Sequence, residues 1–134
     1  MKYLLDTSVW FRGATEPATL PKDLRLILSG HGVQFGLSAI SLWEVAKKNQ
    51  IGRLPLKKDI GAWLTEAVAV GIDLLPLTPE IIADAMTLPD FPNRDPADEL
   101  IVATARVHRL VLLTTDTQLK RYRHAQIRHF TPFL

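Results

Sequence analysis

The sequence predicts an α/β fold in three layers, a central and mostly parallel sheet of four to five strands flanked by helices. Three observations carry that expectation. Apolar runs of strand length recur at Lys2 to Leu5, Val33 to Leu37, Ile72 to Leu75 and Leu110 to Leu113. Segments with helical length and periodicity separate them, and such alternation calls for crossover connections and parallel strands covered on both faces. Finally, 47% of the 134 residues are hydrophobic, enough for one core, and no repeat, low-complexity tract or linker interrupts them. Residues 1–134 therefore read as a single domain.

Lys2 to Leu5 is a buried strand ending at Asp6, which with Thr7 opens a short helix stopped near Gly13. A Thr/Pro/Glu loop leads to a helix over Asp23 to Leu28, closed by Gly30, and Val33 to Leu37 is the second strand. The pattern S-x-x-E at Ser41 to Glu44 reads as a capping box, Ser41 at N-cap and Glu44 at N3, for a helix through Lys48 that Gly52 ends. Leu56 to Ala69 carries amphipathic spacing at Ile60, Trp63, Leu64, Ala67 and Val68, and Gly71 stops it. Ile72 to Leu75 is the third strand. Thr78-Pro79-Glu80 caps and opens a helix to about Leu88. Asp95 is an N-cap, Pro96 N1 and Asp98 N3 of a helix from Pro96 to about His108, whose largely apolar surface implies cover on most sides. Leu110 to Leu113 is the fourth strand, Thr117 to Tyr122 a last helix, and Ile127 to Phe130 a weak fifth strand.

Composition narrows the function classes. There is no cysteine, so disulfide frameworks and thiolate zinc sites are excluded and a reducing cytoplasm is the expected compartment. No apolar run approaches the ~18 residues of a membrane span. Net charge is only +2, too small to argue for nucleic acid alone, although the pI near 9.1 is compatible with it. Lys120, Arg121, Arg123, His124, Arg128 and His129 crowd the C-terminal end, which suits either a nucleic-acid edge or a solvated terminal helix.

The acids carry the functional expectation. In a parallel sheet the carboxyl ends of the strands share one edge, and ligands bind there where strand order reverses. Asp6 follows strand one and Asp116 strand four, while Glu44 and Asp98 are expected in first helical turns at that same edge. Two carboxylates at ~4 Å repel by ~4 kcal/mol at an effective dielectric near 20, so such a cluster must be protonated or neutralised by a cation. All-oxygen ligands favour Mg²⁺ or Mn²⁺, and no His joins them to argue for zinc. Each acid taken singly also has a bland role as a helix cap or dipole partner.

The segments LLDTSVW, SAISLWEVAKK, RDPADELIVATARVHRL and LLTTDTQL, in this order, resemble the PIN-domain ribonucleases, specifically the toxin half of VapBC-type toxin–antitoxin pairs. The resemblance runs from Lys2 to about Leu119 and implies a three-layer PIN-like fold. It places the family's catalytic and metal-holding acids on Asp6, Glu44, Asp98 and Asp116, an extra acid on Asp95, and supporting hydroxyls on Thr7 and Thr115. It departs from close relatives at Asn93-Arg94, where a His is frequent, and at Glu99, where Arg often follows the third acid. Implied with it are one or two Mg²⁺ ions, with Mn²⁺ able to substitute, and endonucleolytic hydrolysis of RNA by metal-activated water. A homodimer and a small VapB-like antitoxin, bringing a basic side chain to the acidic pocket, are the implied partners, with no membrane. The alternative is a catalytically inactive scaffold of the same fold that binds only protein.

Around that mouth, Arg12, Lys47, Lys48 and Arg94 are candidate RNA contacts, with Arg53 beyond them, although Lys47-Lys48 and Arg106/Arg109 also suit helix C-termini. Trp10, Trp43 and Trp63 are expected in the core, and exposed apolar area for partners is sought among Trp43, Ile51, Leu54, Leu56 and Ile60. A receiver-type phosphoacceptor would need an acidic pair after strand one, and a dehalogenase-type phosphatase D-x-D, where this chain has Asp6 followed by Ser8.

Overall fold

The computed structural model describes residues 1–131. Five strands, β1 (Tyr3–Leu5), β2 (Phe35–Ser38), β3 (Ile72–Leu75), β4 (Val111–Thr114) and β5 (Ile127–His129), form one sheet in the order β3-β2-β1-β4-β5. Every pairing is parallel. Six α-helices connect them: α1 (Thr7–Thr15), α2 (Lys22–Leu28), α3 (Ala39–Gln50), α4 (Ile60–Ala67), α5 (Pro79–Met86) and α6 (Pro96–His108).

Strand alternation explains the layers. Leu4 and Leu112 face one side and Leu5, Leu37 and Leu113 the other, all almost fully buried. Leu5, Leu37 and Leu113 pack with Val9 and Trp10 of α1, Leu24 of α2 and Val45 of α3. Leu4 and Leu112 pack beneath Ile101, Val102 and Ala105 of α6. Ala103 on the same helix meets Ile81 and Ala85 of α5, so α6 is buried between sheet and α5 as its apolar circumference requires. The chain builds β1, β2 and β3 outward in one direction and then β4 and β5 in the other, which puts the reversal between β1 and β4.

Several expected boundaries shift. α3 starts at Ala39, its cap three residues before the expected Ser41, because β2 runs directly into Ser38, whose extended backbone and side chain accepting from Ile40 N make it the cap. Ser41 is therefore a fully buried residue inside the first turn, and Glu44 lies in the second turn. α4 begins only at Ile60, because Asp59 accepts from Gly61 N and Ala62 N and ends the irregular stretch before it. The expected last helix reduces to one 3-10 turn at Thr117–Leu119. Trp10 is buried and meets Trp63 edge-on at 5.3 Å, but Trp43 is 58% exposed. Val45, not Trp43, lies on the buried face of α3.

Candidate active site

The β1/β4 reversal is crossed by a short hydrogen-bonded bridge. Leu4 pairs with Leu112, so one alternation later Asp6 stands level with Thr114 on the same face. Asp6 N donates to Leu113 O at 3.1 Å, and the Asp6 carboxyl accepts from Thr7 N at 2.9 Å and from Thr114 Oγ1 at 2.6 Å. Thr114 Oγ1 also accepts from Asp116 N at 3.0 Å, which fixes the turn after β4. Asp116 itself caps that turn, accepting from Gln118 N at 2.9 Å.

α1 and α3 deliver the second side of the site. Thr7 Oγ1 donates to Glu44 Oε1 and lies 2.8 Å from Ser41 Oγ. A hydroxyl has one proton, so with Thr7 donating to the carboxylate, Ser41 must donate to Thr7. The relay Ser41 to Thr7 to Glu44 holds the glutamate toward the end of β1. α6 supplies the third side. Its N-cap Asp95 accepts from Ala97 N at 2.9 Å, and Asp98, one turn in, accepts from Asn93 Nδ2 at 3.0 Å. The same amide reaches Gln118 Oε1 at 3.0 Å, tying the mouth of α6 to the turn that carries Asp116.

The carboxylates lie near enough to perturb one another. Asp6 is raised above its ordinary range by burial, against the Thr114 and Thr7 hydrogen bonds; Asp116 adds to the rise and Lys48 opposes it. Glu44 is raised by burial, with Thr7 and Lys48 opposing and the charges of Asp95 and Asp6 adding. Asp98 is pushed up to about 7 by burial and then by Asp95, Asp6 and Asp116, against the Asn93 hydrogen bond. Among the described residues the ion pairs are Lys58–Glu66, Arg106–Asp84 and His124–Asp90, so none neutralises this cluster.

Glu44, Asp6, Asp98 and Asp116 thus lie near one another at the carboxyl edge of the sheet, with Asp95 exposed beside them. The oxygens gathered here are carboxylate and hydroxyl, the kind a small hard cation takes. Among the described residues no three acidic or imidazole groups stand close enough together to hold a metal ion as they are placed. Thr7, Thr114 and Asn93 hold the carboxylates by their oxygens. Mg²⁺ keeps several of its waters and needs few direct protein ligands, and carboxylate oxygens are the donors it takes.

Thr7 stands where expected, but Thr114 replaces Thr115 as the second supporting hydroxyl. Strand parity was the available signal, since Thr114 shares the side of Leu112 and Thr115 does not. The sequence reads Ser41 only as a cap and does not show the holding roles of Asn93 and Gln118; Ser41 to Thr7 and Asn93 to Gln118 are contacts between segments distant in sequence. Of the candidate RNA contacts, Arg12 is committed to Thr19, through Oγ1 at 3.1 Å and the backbone carbonyl, and Lys47 bonds Gln50 at 2.9 Å. Lys48 alone acts on Asp6 and Glu44, and Arg94 is exposed beside the α6 entrance.

The PIN domain family model matches residues 3–125. The chain is 33% identical over 121 residues to Ribonuclease VapC22 of Mycobacterium tuberculosis, spanning 90% of this chain and 92% of that protein. Its fold is similar to chains in the DNA-bound VapBC of Salmonella typhimurium (TM-score 0.72, 16% identity, 96% and 98% covered) and in VapBC2 of Rickettsia felis bound to a promoter fragment (0.71, 16%, 96% and 98%). It is similar as well to VapC20 of Mycobacterium tuberculosis, a toxin that cleaves the sarcin-ricin loop (0.63, 16%, 93% and 99%).

Proposed function

The chain belongs to the PIN-domain family, and from that premise we propose that residues 1–134 form a single-domain, divalent-metal-dependent endoribonuclease, the toxin of a toxin–antitoxin pair. One observation carries the proposal: Asp6, Glu44, Asp98 and Asp116 lie within electrostatic reach of one another near the strand-order reversal, three of them are raised in pKa, and none has a cationic partner within salt-bridge distance. The 33% identity to a ribonuclease over nine-tenths of both chains supports the reaction class.

On this reading Asp6, Asp98, Asp116 and Glu44 hold Mg²⁺, or Mn²⁺ in its place. When bound, the ion acidifies a water and offsets charge on the scissile phosphodiester. The chain's own residues do the rest. Thr114 and Thr7 fix the Asp6 and Glu44 carboxylates, and Asn93 holds Asp98. Asp95, exposed beside them, and Glu44 are the groups placed to take a proton. Lys48 and Arg94 bind substrate phosphates beside the acids, while Arg12 and Lys47, already hydrogen-bonded, contribute charge.

The partners proposed are RNA, a small VapB-like antitoxin and a second copy of the chain. Apolar surface for the protein contacts exists at Trp43 and Ile51, both more than half exposed, and in a groove of about 880 Å³ between α1, α2 and the segment leading into β3. Among the described residues no helix is long and apolar enough to cross a membrane, and the cytoplasm is the compartment proposed.

The test is incubation with total cellular RNA and Mg²⁺, mapping new 5′ ends. Discrete cuts by the natural chain, absent with Asp6→Ala, lost in EDTA and restored by Mg²⁺ or Mn²⁺, are the expected result. Undiminished cleavage in chelator overturns the metal mechanism; no cleavage under any condition leaves the protein-binding scaffold.

A further inference from the structure

At the opposite end of α6 from the acidic cluster lies a second concavity, of about 450 Å³, lined by Arg106, Arg109, Arg123, His124 and Gln126. It sits at the amino-terminal edge of the sheet, where the chain enters β4 and β5. Its shape is built by hydrogen bonds. Arg106 clamps Asp84 of α5 through Nε at 2.8 Å and Nη2 at 3.2 Å, and its Nη1 donates to the His124 carbonyl, fixing the segment before β5 against α6. The Tyr122 hydroxyl donates to Pro89 O at 2.7 Å, and its ring meets His124 edge-on at 5.6 Å, which anchors the same segment from the other side. Arg109 ends α6 in the left-handed region, with φ of 56°, so the chain turns back there and its side chain stands at the pocket wall.

The acids near this pocket are few and already engaged. Asp84 is taken by Arg106, and Asp90 lies 3.8 Å from His124 Nε2. Among the described residues, Arg109 and Arg123 have no carboxylate within salt-bridge distance and both are exposed. Two guanidinium groups free of acidic partners, on a preformed wall, present the planar donor fork that matches phosphate oxygens.

We propose that this pocket is an exosite for the RNA backbone, binding phosphates of the substrate away from the cut. The inference rests on the ribonuclease reading above and adds to it a second point of attachment. The thirteen residues of α6 span roughly 20 Å at 1.5 Å per residue, so strand bound at both ends of the helix extends over several nucleotides. RNA is the occupant that the ribonuclease reading supplies, and successive phosphates of one strand can each take one guanidinium; a carboxylate takes the same fork, so an acidic peptide is the outcome the competition experiment separates.

The deciding variant is Arg109→Asn combined with Arg123→Gln. Asn tolerates the left-handed backbone at position 109, so the α6 terminus is preserved while two charges are removed. Affinity for a fluorescent single-stranded RNA is measured in EDTA over a range of salt, beside Lys22→Gln with Arg25→Gln, which removes equal charge from α2. The exosite variant should bind about tenfold more weakly at low salt, with the slope of log affinity against log salt reduced by about 1.4, two contacts at ~0.7 each. In Mg²⁺ its KM for RNA should rise with kcat unchanged. Affinity equal to the natural chain, or a loss no greater than that of the α2 variant, overturns the proposal. So does preferential competition by polyglutamate over RNA of equal charge, which would assign the pocket to an acidic protein segment. Cleavage by the natural chain, run alongside, checks the ribonuclease reading separately: its absence removes that reading, whereas unchanged RNA affinity in the exosite variant removes the pocket alone.

Discussion

Thr114 is the residue on which two of the four acids depend. Its hydroxyl donates to Asp6 and accepts the Asp116 amide, so one oxygen sets both a carboxylate and the turn that carries another. Replacing it by Val keeps the volume and removes the bridge. Thr114→Val is expected to cost about 1–3 kcal/mol in urea unfolding, the cost of leaving buried polar groups unsatisfied. It should also weaken Mg²⁺ binding, because Asp6 must ionise with one hydrogen bond fewer. Thr114→Ser, which keeps the hydroxyl, should retain metal binding; equal loss in both variants would show that the methyl, and not the bridge, matters. Asp6, Asp98 and Asp116 were legible in the sequence as acids beside apolar runs. The hydroxyl that orders them was not, since Thr114 and Thr115 are adjacent and chemically alike, and only the side of the strand distinguishes them.

Among the elements, α6 and β2 place the site. α6 was legible from Asp95 to His108 because cap, N1 proline and apolar circumference all agree, and agreement across levels makes a boundary readable. α3 was not, because Ser38 and Ser41 each offer a capping oxygen. The choice fell to where β2 ends, which pairing with β1 and β3 decides. β2 is itself tightly held. A Cβ at Gly36 would stand 2.9 Å from Met1 Sδ, 3.1 Å from Leu75 Cδ1 and 3.2 Å from Leu110 Cδ1. Gly36→Ala is expected to lower stability by about 1–2 kcal/mol, the overpacking strain exceeding the smaller entropic gain from removing a glycine. The measurement is the urea midpoint at constant m-value, and a stabilised variant would mean that the neighbouring side chains yield freely.

For the molecule as a whole, the gathered acids set a linkage between folding, protons and metal. Asp98 is raised to about 7 from an ordinary 3.8, so the folded state holds a proton there that the unfolded chain has released. Its contribution to stability is fully present below about 3.8 and is lost as pH rises through about 7. The metal-free protein should therefore show a falling Tm over that window, while the rise in Tm produced by Mg²⁺ grows over the same window as the ligand ionises. Asp98→Asn should flatten the first profile, raise the metal-free Tm near neutrality and abolish the second. A metal-free Tm independent of pH in the natural chain would remove the electrostatic account. By itself the sequence determined the α/β class, the parallel strands, the α6 entrance and which acids to watch, because hydrophobic period and capping chemistry are local and are written in neighbouring residues. Tertiary structure alone decided that Asp6, Glu44, Asp98 and Asp116 come within electrostatic reach of one another and that the Thr114 hydroxyl bonds Asp6 and the Asp116 amide. It also decided that Arg109 and Arg123 line one concavity at the far end of α6. Those outcomes depend on strand order, register and side-chain parity between segments many residues apart, and such long-range geometry exists only once the chain has packed.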